Sequence, residues 1–475
     1  MPGMKPETVR VLSADEIERV HSASVKLLVG TGVMVQDDIL SDRLVRAGCI
    51  RSSGGNILFP KAVIERLLGT APAAFMLHSR SGGEPLPVGE GITRSVAGFD
   101  APFFLDEKTG ERRAITRQDV ADFAWIAEQL PDVDVVGNQG IPQDVPAGTE
   151  EANAAAALLE STGKHLIVAP DTLPAARAIY QMVAAVSGAE DIGRAPLVCC
   201  HVSPSLPLRW TPKACQIIVE TVSRGIPFLI LPAPMSGATS PVTLAGHLVV
   251  HNTEILSGYL IAQLLREGHP VAYCNAHTIF NLREGNPIIA TPETMLLRIA
   301  GVQMARFYKI PSHSIGFDTD SHISDGQGAW EKALTAAVCV QAGADFMVNL
   351  GMFSTGCAVS FAQLVMDAEV FGLLKRYRRG IEVSDDTLAV DLISKVGSWG
   401  AFLEEEHTLA HYRQENWYPE VSCRKLFAPW RAAGGKEVAR VAHEKALRLR
   451  DAPRRSFLDA GQKKEVEKIL EREFR

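Results

Sequence analysis

The chain has 475 residues, 46% of them hydrophobic and 22% charged, which is enough for one large globular domain with additions. A formal net charge of −7 and a pI near 6.0 speak against a nucleic-acid partner. No cationic segment followed by an apolar core opens the chain, and its apolar runs are short and cut by Pro, Gly or charge, so neither a signal peptide nor a membrane span is expected.

Residues 1–92 read as an N-terminal α+β extension. Ser13-Ala14-Asp15-Glu16 has the form of a capping box and opens a helix carrying Ile17, Val20, Val25 and Leu28, which Gly30 and Gly32 end. A second helix is expected over 38–47, with short extended pieces at 57–59 and 74–77. From residue 93 the chain falls into a rhythm. Buried strands are expected at 94–98, 133–138, 165–169, 197–201, 227–231, 270–275, 312–317 and 345–350. Their starts lie roughly 30 to 43 residues apart, the repeat of strand plus helix plus loops. Caps mark the helices between them: Thr116 three residues before Asp119, and Thr291-Pro292-Glu293 with Pro in the first turn. Residues 150–159 and 211–223 fit the same role, and 103–116 reads as a hairpin turning at Glu107-Lys108-Thr109-Gly110. Eight such units favour a closed (β/α)8 TIM barrel over 93–380, followed by a mainly helical C-terminal segment, 381–475. Within that segment, charge patterning from Gly435 onward suggests a solvated helical tail or an oligomer contact.

In such a barrel, chemistry belongs at the C-terminal ends of the strands. Those positions carry Phe99, Asp100, Asn138, Gln139, His201, Asn275, His277, Phe317, Asp318, Asn349 and Phe353. Aromatic and amide groups outnumber nucleophiles, a composition suited to holding a small cation. The eight Cys, at no regular spacing and mostly in apolar stretches, read as reduced thiols of a cytoplasmic protein. Three look-alikes are set aside. His247, His251 and Glu254 share a helix face, but Leu248 stands where a zincin has Glu. Cys199 and Cys200 alternate across a strand and cannot chelate together with His201. Asp320-Ser321-His322 approaches a cobalamin-binding Asp-x-His-x-x-Gly, but its Gly is displaced to Gly326. No resident metal is expected.

The stretch Pro232-Ala233-Pro234-Met235-Ser236-Gly237-Ala238-Thr239-Ser240-Pro241-Val242-Thr243-Leu244-Ala245-Gly246 has Ser240 placed as N-cap and Pro241 as first residue of a long helix ending at Gly268. Together with Asn252-Thr253-Glu254-Ile255-Leu256, it resembles the trimethylamine methyltransferase family, in its non-pyrrolysine branch that includes glycine betaine methyltransferases. The resemblance continues through Pro142-Gln143-Asp144-Val145-Pro146, Ser161-Thr162-Gly163-Lys164, Asp318 to His322, Asp325 to Lys332, Gly343-Ala344-Asp345 and His407-Thr408-Leu409. It implies methyl transfer from an amine to Co(I) of a separate corrinoid protein, with corrinoid (cobalamin) as the partner's cofactor and none held tightly by this chain. Pyrrolysine is absent here, which points away from trimethylamine and toward a quaternary amine, glycine betaine first. Proline betaine, carnitine and butyrobetaine follow. No nucleophile is then needed from the chain. Phe99, Phe317 and Phe353 are the cage candidates, with Asp100 and Asp318 adding charge. Asn138, Gln139, His277, Asn349, Gln327 and the free N–H groups after Ser240 would hold a carboxylate. Glu331 and His407 sit in matched motifs, where they would contact substrate or brace loops. Homo-oligomers are also expected. A metal-dependent barrel hydrolase or lyase and a non-catalytic betaine-binding protein are the readings from other classes.

Overall fold

Eight parallel strands close on themselves: β1 (Arg94–Ala97), β2 (Val135–Gly137), β3 (His165–Val168), β4 (Val198–Val202), β5 (Phe228–Ile230), β6 (Val271–Asn275), β7 (Ser312–Ile315) and β8 (Phe346–Leu350). This computed structural model describes residues 9–474 apart from 107, 108, 190 and 206. Strand order follows chain order, and β8 returns to β1 with Phe346 opposite Arg94 and Met347 opposite Ser95. Parallel neighbours need long crossovers. Here each strand is followed by a helix: α1 (Arg117–Gln129), α2 (Glu150–Ser161), α3 (Leu173–Ser187), α4 (Pro212–Ser223), α5 (Leu244–Leu265), α6 (Pro292–Phe307), α7 (Gly326–Ala342) and α8 (Phe361–Arg379). The (β/α)8 barrel and all eight strand positions match the sequence reading to within two residues at each end.

Local signals explain most helix starts. Thr116 and Asp119 form a reciprocal capping box at α1, and Thr291 caps α6 with Pro292 in its first turn. The start of α5 is a correction. The helix begins at Leu244 after Thr243, not at Pro241, because Ser240 is engaged elsewhere. Its hydroxyl donates to the Met235 carbonyl at 3.1 Å and meets His247 Nδ1 at 2.7 Å, so it stays in the loop. The hairpin expected after β1 is present, Phe103–Leu105 against Arg112–Ala114, and Ala358–Val359 adds to its edge. Of its expected turn, Glu107 and Lys108 lie outside the described residues.

Both ends of the chain pack on the barrel. The helix Ala14–Gly30 lies along α5, where Asn252 Nδ2 donates to Ser24 Oγ at 2.9 Å. The hairpin of Phe75–Leu77 and Leu86–Val88 closes the N-terminal end of the barrel: Phe75, Leu77 and Val88 share a core with Val96, Val135, Ile167 and Phe346. The C-terminal helices are docked rather than solvated all round. Ala442 and Ala446 of Val438–Arg450 are buried against α8 and α1, and Val466 and Ile469 of Ala460–Glu473 against α3. The periodicity after Gly435 is therefore that of packing faces.

Removing the plug from the barrel floor has a defined cost. Phe75→Ala is expected to lower stability by ~3–5 kcal/mol, the cost of truncating a buried aromatic. Met76→Ala, on the other face of the same strand and 42% exposed, stays within ~0.5 kcal/mol. Urea denaturation of both variants at equal m-value checks the pair.

Candidate active site at the C-terminal end of the barrel

The loops after β1 to β4 enclose a cavity of about 410 Å³ lined by Phe99, Asp100, Glu151, Asp171, His201 and Lys213, among others. Its shape starts at Gly98, which adopts φ +72° and passes so close to Gln139 that a Cβ would sit 2.4 Å from that side chain. Phe99 turns inward there and meets the His201 ring edge-on, with centroids 4.5 Å apart. Asp100 follows with φ 46°, a left-handed conformation rare outside glycine. Two contacts to Asn138 hold it: the Asp100 N–H donates to the Asn138 carbonyl at 2.6 Å, and Asn138 Nδ2 donates to Asp100 Oδ1 at 2.6 Å. Backbone strain held by such a clamp is a common mark of functional sites. Burial pushes the Asp100 carboxyl up to about 7, against the pull of the Asn138 hydrogen bond, and burial also raises Glu151. Lys213 pairs with Asp171 at 3.1 Å on the rim. Three carboxylates thus face one ammonium.

The opposite half of the mouth, after β7 and β8, is built from buried ion pairs. Arg298 of α6 and Asp318 are paired with both side chains fully excluded from solvent. Asn349 Nδ2 donates to Asp318 Oδ1 at 3.1 Å from a backbone with φ 77°. Lys332 of α7 pairs with Asp367 of α8 at 2.9 Å and donates to the Phe317 carbonyl at 2.8 Å. Asp367 in turn accepts from the Gly351 N–H at 2.7 Å.

The expected site residues divide accordingly. Phe99, Asp100 and Asn138 come together, and Gln139 adjoins them with its Nε2 turned 3.4 Å from the Ala97 carbonyl. Phe317 and Phe353 are only 1% exposed. Phe317 packs below Lys332, and Phe353 sits in a separate core with Leu105 and Ala358, so the three phenylalanines do not converge as one cage. Glu331 accepts from Thr319 Oγ1 at 2.6 Å and from the Asp320 N–H at 2.9 Å, and Gln327 donates to it at 3.0 Å. These two brace the loop after β7. Asp320 itself accepts from the Ile289 and Ala290 N–H groups, and His407 lies far along the chain on the Glu406–Glu415 helix, 3.2 Å from the Asp386 carbonyl.

His277 lies in a chain of polar groups. Its Nδ1 is 2.9 Å from His247 Nε2, and His247 Nδ1 is bound to Ser240. Since the Ser240 hydroxyl donates to Met235, it accepts from His247 Nδ1–H. His247 Nε2 then accepts from His277 Nδ1–H, leaving a lone pair on His277 Nε2. His277 therefore presents an acceptor, not the donor expected for a carboxylate. His251 and Glu254, on the same helix face, are also engaged, with the Cys274 carbonyl at 3.0 Å and the Leu208 N–H at 2.8 Å. A pattern emerges from the polar atoms that are buried without a partner among the described residues. Asn138 Oδ1, Gln139 Oε1, His201 Nδ1, Asn275 Oδ1 and His277 Nε2 all belong to the ends of strands or the loops after them. Buried polar groups are normally satisfied, so such a concentration marks a place built for water or a ligand.

Sequence reasoning missed four residues here. Arg298 is not singled out by the sequence, and Lys332 only as the end of the matched stretch Asp325 to Lys332; Cys274 and His313 lie within expected strands and draw no role of their own. The ligand atoms of His201, Cys274 and His313 lie within 4.8 Å of one another inside the barrel. The dismissed Cys199 and Cys200 do face opposite sides, Cys199 inward and Cys200 outward.

Fold and site together define a barrel enzyme with an acidic, aromatic mouth. Residues 3–474 match the profile of the trimethylamine methyltransferase (MTTB) family, and the chain belongs to that family of methyltransferases. It is 30% identical over 439 residues to the trimethylamine methyltransferase MttB of Desulfitobacterium hafniense (strain DSM 10664 / DCB-2), covering 92% of this chain and 88% of that one. It is 28% identical over 423 residues to the glycine betaine methyltransferase of Desulfitobacterium hafniense (strain Y51), with 88% of each covered. The barrel also superposes on the monomethylamine methyltransferase MtmB of Methanosarcina barkeri with a TM-score of 0.55 at 14% identity, over 97% of this chain and 88% of that one. That likeness concerns the fold.

The buried pairs make a test of the architecture. Lys332→Met leaves Asp367 charged and unpaired, and is expected to cost ~3–5 kcal/mol. Adding Asp367→Leu recovers part of that loss. Chemical denaturation of the single and double variants reads it; an equally stable single variant contradicts the assignment.

Proposed function

We propose that this protein moves a methyl group from a quaternary amine, glycine betaine first, to Co(I) of a corrinoid carried by a separate protein. The observation that carries this reading is the charge of the cavity: Asp100, Glu151 and Asp171 against Lys213, with Phe99 as an aromatic wall. A trimethylammonium head gains from both, at about 0.5–2 kcal/mol per aromatic contact. Lys213, which pairs with Asp171 on the rim, is the cation that would meet the substrate's carboxylate. Family membership and the betaine-demethylating relative support the same chemistry, as does the absence of pyrrolysine from the sequence.

The leaving group explains what the site lacks. When the carbon–nitrogen bond of a quaternary amine breaks, its electron pair stays on nitrogen and neutralises the charge. Dimethylglycine leaves without needing a proton. The corrinoid supplies the nucleophile, so the chain has only to hold the cation, orient one methyl outward and exclude water. His201, the imidazole lining the cavity, is held neutral by burial and by His313, which suits a binding wall rather than an acid. The apolar side chains exposed between residues 381 and 427, among them Trp399, Leu403 and Phe427, support docking of the corrinoid protein or of further copies of this chain.

The reaction is tested by incubating the protein with Co(I) cobalamin and a panel of glycine betaine, proline betaine, carnitine, butyrobetaine and trimethylamine. Methylated cobalamin with matching dimethylglycine establishes reaction and substrate. Turnover of another betaine keeps the reaction and changes the substrate. Silence across the panel, with the cognate corrinoid protein supplied, defeats the reading.

Asp100 adds a pH dependence. Its carboxyl is raised to about 7, so a larger fraction is neutral below that pH and ionised above it. A cation binds the ionised form better, so betaine affinity is expected to rise from pH 6 to pH 8 and level off above. Asp100→Asn is expected to weaken binding at pH 8 at least about fivefold, in line with the ~1 kcal/mol or more of a charge about 4 Å away. It should also flatten the pH dependence, leaving the contribution of Glu151, whose carboxyl burial raises as well. Calorimetric titration at three pH values checks both.

A further inference from the structure

TIM-barrel interiors are filled by layers of side chains in which Val, Ile and Leu dominate. This barrel departs from that rule in a cluster of imidazoles and thiols. His201 from β4, Cys274 from β6 and His313 from β7 project into the interior as one cluster, all three buried, with their ligand atoms within 4.8 Å of one another. His201 Nε2 lies 3.1 Å from His313 Nε2. One layer toward the N-terminal end, His165 Nε2 meets Cys199 Sγ at 3.2 Å, so the thiol and imidazole character continues inward.

Local hydrogen bonding accounts poorly for this arrangement. The Nδ1 atoms of His201 and His313 have no partner, and the Cys274 thiol reaches only the Ala272 carbonyl, at 3.9 Å. Each unsatisfied buried group of this kind costs on the order of 1–3 kcal/mol. Three aliphatic side chains would fill the same volume at no such cost. Two imidazoles and a thiol are instead the donor set of a borderline-soft cation, and three protein ligands are the number that leaves a coordination position free.

We propose that His201, Cys274 and His313 form a binding site for a thiophilic divalent cation of the zinc type, its fourth position turned toward the cavity that His201 also lines. Burial keeps both imidazoles neutral, the form that ligates. Binding the cation displaces the Cys274 proton to solvent, which the buried thiol does not release unaided. The fourth ligand is water, or an anionic oxygen of whatever occupies the cavity. The site does not depend on which methyl donor the enzyme uses. Helix spacing and strand neighbours could not reveal it, because its members come from three strands that the closure of the barrel brings together.

The test uses the full chain, produced in zinc-supplemented medium and dialysed, with metal content measured by mass spectrometry. The metal-free protein is then titrated with Co²⁺ and Zn²⁺. The expected result is one equivalent of metal per chain, a thiolate-to-cobalt charge-transfer band on Co²⁺ addition, and a rise in Tm with Zn²⁺. Cys274→Ala is expected to abolish the band, and His313→Gln to weaken Zn²⁺ binding at least about a hundredfold. Cys199→Ala, one layer away, leaves the band intact. Circular dichroism confirms folding of each variant. Metal-free wild type that shows no band and no Tm shift overturns the proposal, leaving His201 and His313 as a hydrogen-bonded pair. So does a band that persists in folded Cys274→Ala.

Discussion

A full charge can be buried in a barrel wall only where its partner is buried with it. Two such pairs, Arg298 with Asp318 and Lys332 with Asp367, tie α6, α7 and α8 to the loops after β7 and β8. Through Asn349 and the Gly351 N–H they also fix the backbone where β8 ends. Their consequence is an asymmetry of charge across the mouth. After β7 and β8 the buried acids Asp318 and Asp367 meet internal counter-ions, and Asp320 and Glu331 are taken up by N–H, hydroxyl and amide donors around their own loop. After β1 to β3, Asp100, Glu151 and Asp171 face only Lys213. A cation entering the mouth meets, on the side where Phe99 stands, carboxylates that line the cavity with one ammonium among them.

The same asymmetry fits chemistry without proton transfer. Asp100, its carboxyl raised to about 7, is the cavity group with a proton near neutral pH, and departure of a neutral amine from a quaternary nitrogen does not call on it as a general acid. His201 is neutral and edge-on to Phe99, and His277 presents a lone pair at the end of its chain through His247 to Ser240. A quaternary amine asks for neither group to give up a proton. Charge and leaving group thus point the same way and support the proposed substrate, one whose positive charge is permanent and whose departure cancels it.

How much of this was legible in the sequence depends on the range of the interaction. The strands were visible because a barrel strand is a short apolar run, and α1 and α6 because Thr116 and Thr291 cap locally. The start of α5 was misplaced because Ser240, an ideal N-cap by sequence, is claimed by His247 seven residues on. Phe317 and Phe353 occupy strand-end positions, as expected, yet Lys332 and the hairpin at Leu105 bury them. His201 stood out as a strand-end residue and Lys332 as part of a matched motif, but Arg298, Cys274 and His313, and the partners of all five, left no trace in any window. Each becomes meaningful only when the barrel closes and brings distant strands or helices together.

The proposed function turns on recognition of a permanent positive charge at the mouth. Calorimetric titration with glycine betaine and with tert-butylacetate, its carbon isostere, tests it directly, since the two share shape and carboxylate and differ in the charge of the head. Betaine is expected to bind at least about tenfold tighter, with the preference shrinking in Asp100→Asn. Equal affinity for the two ligands would contradict it.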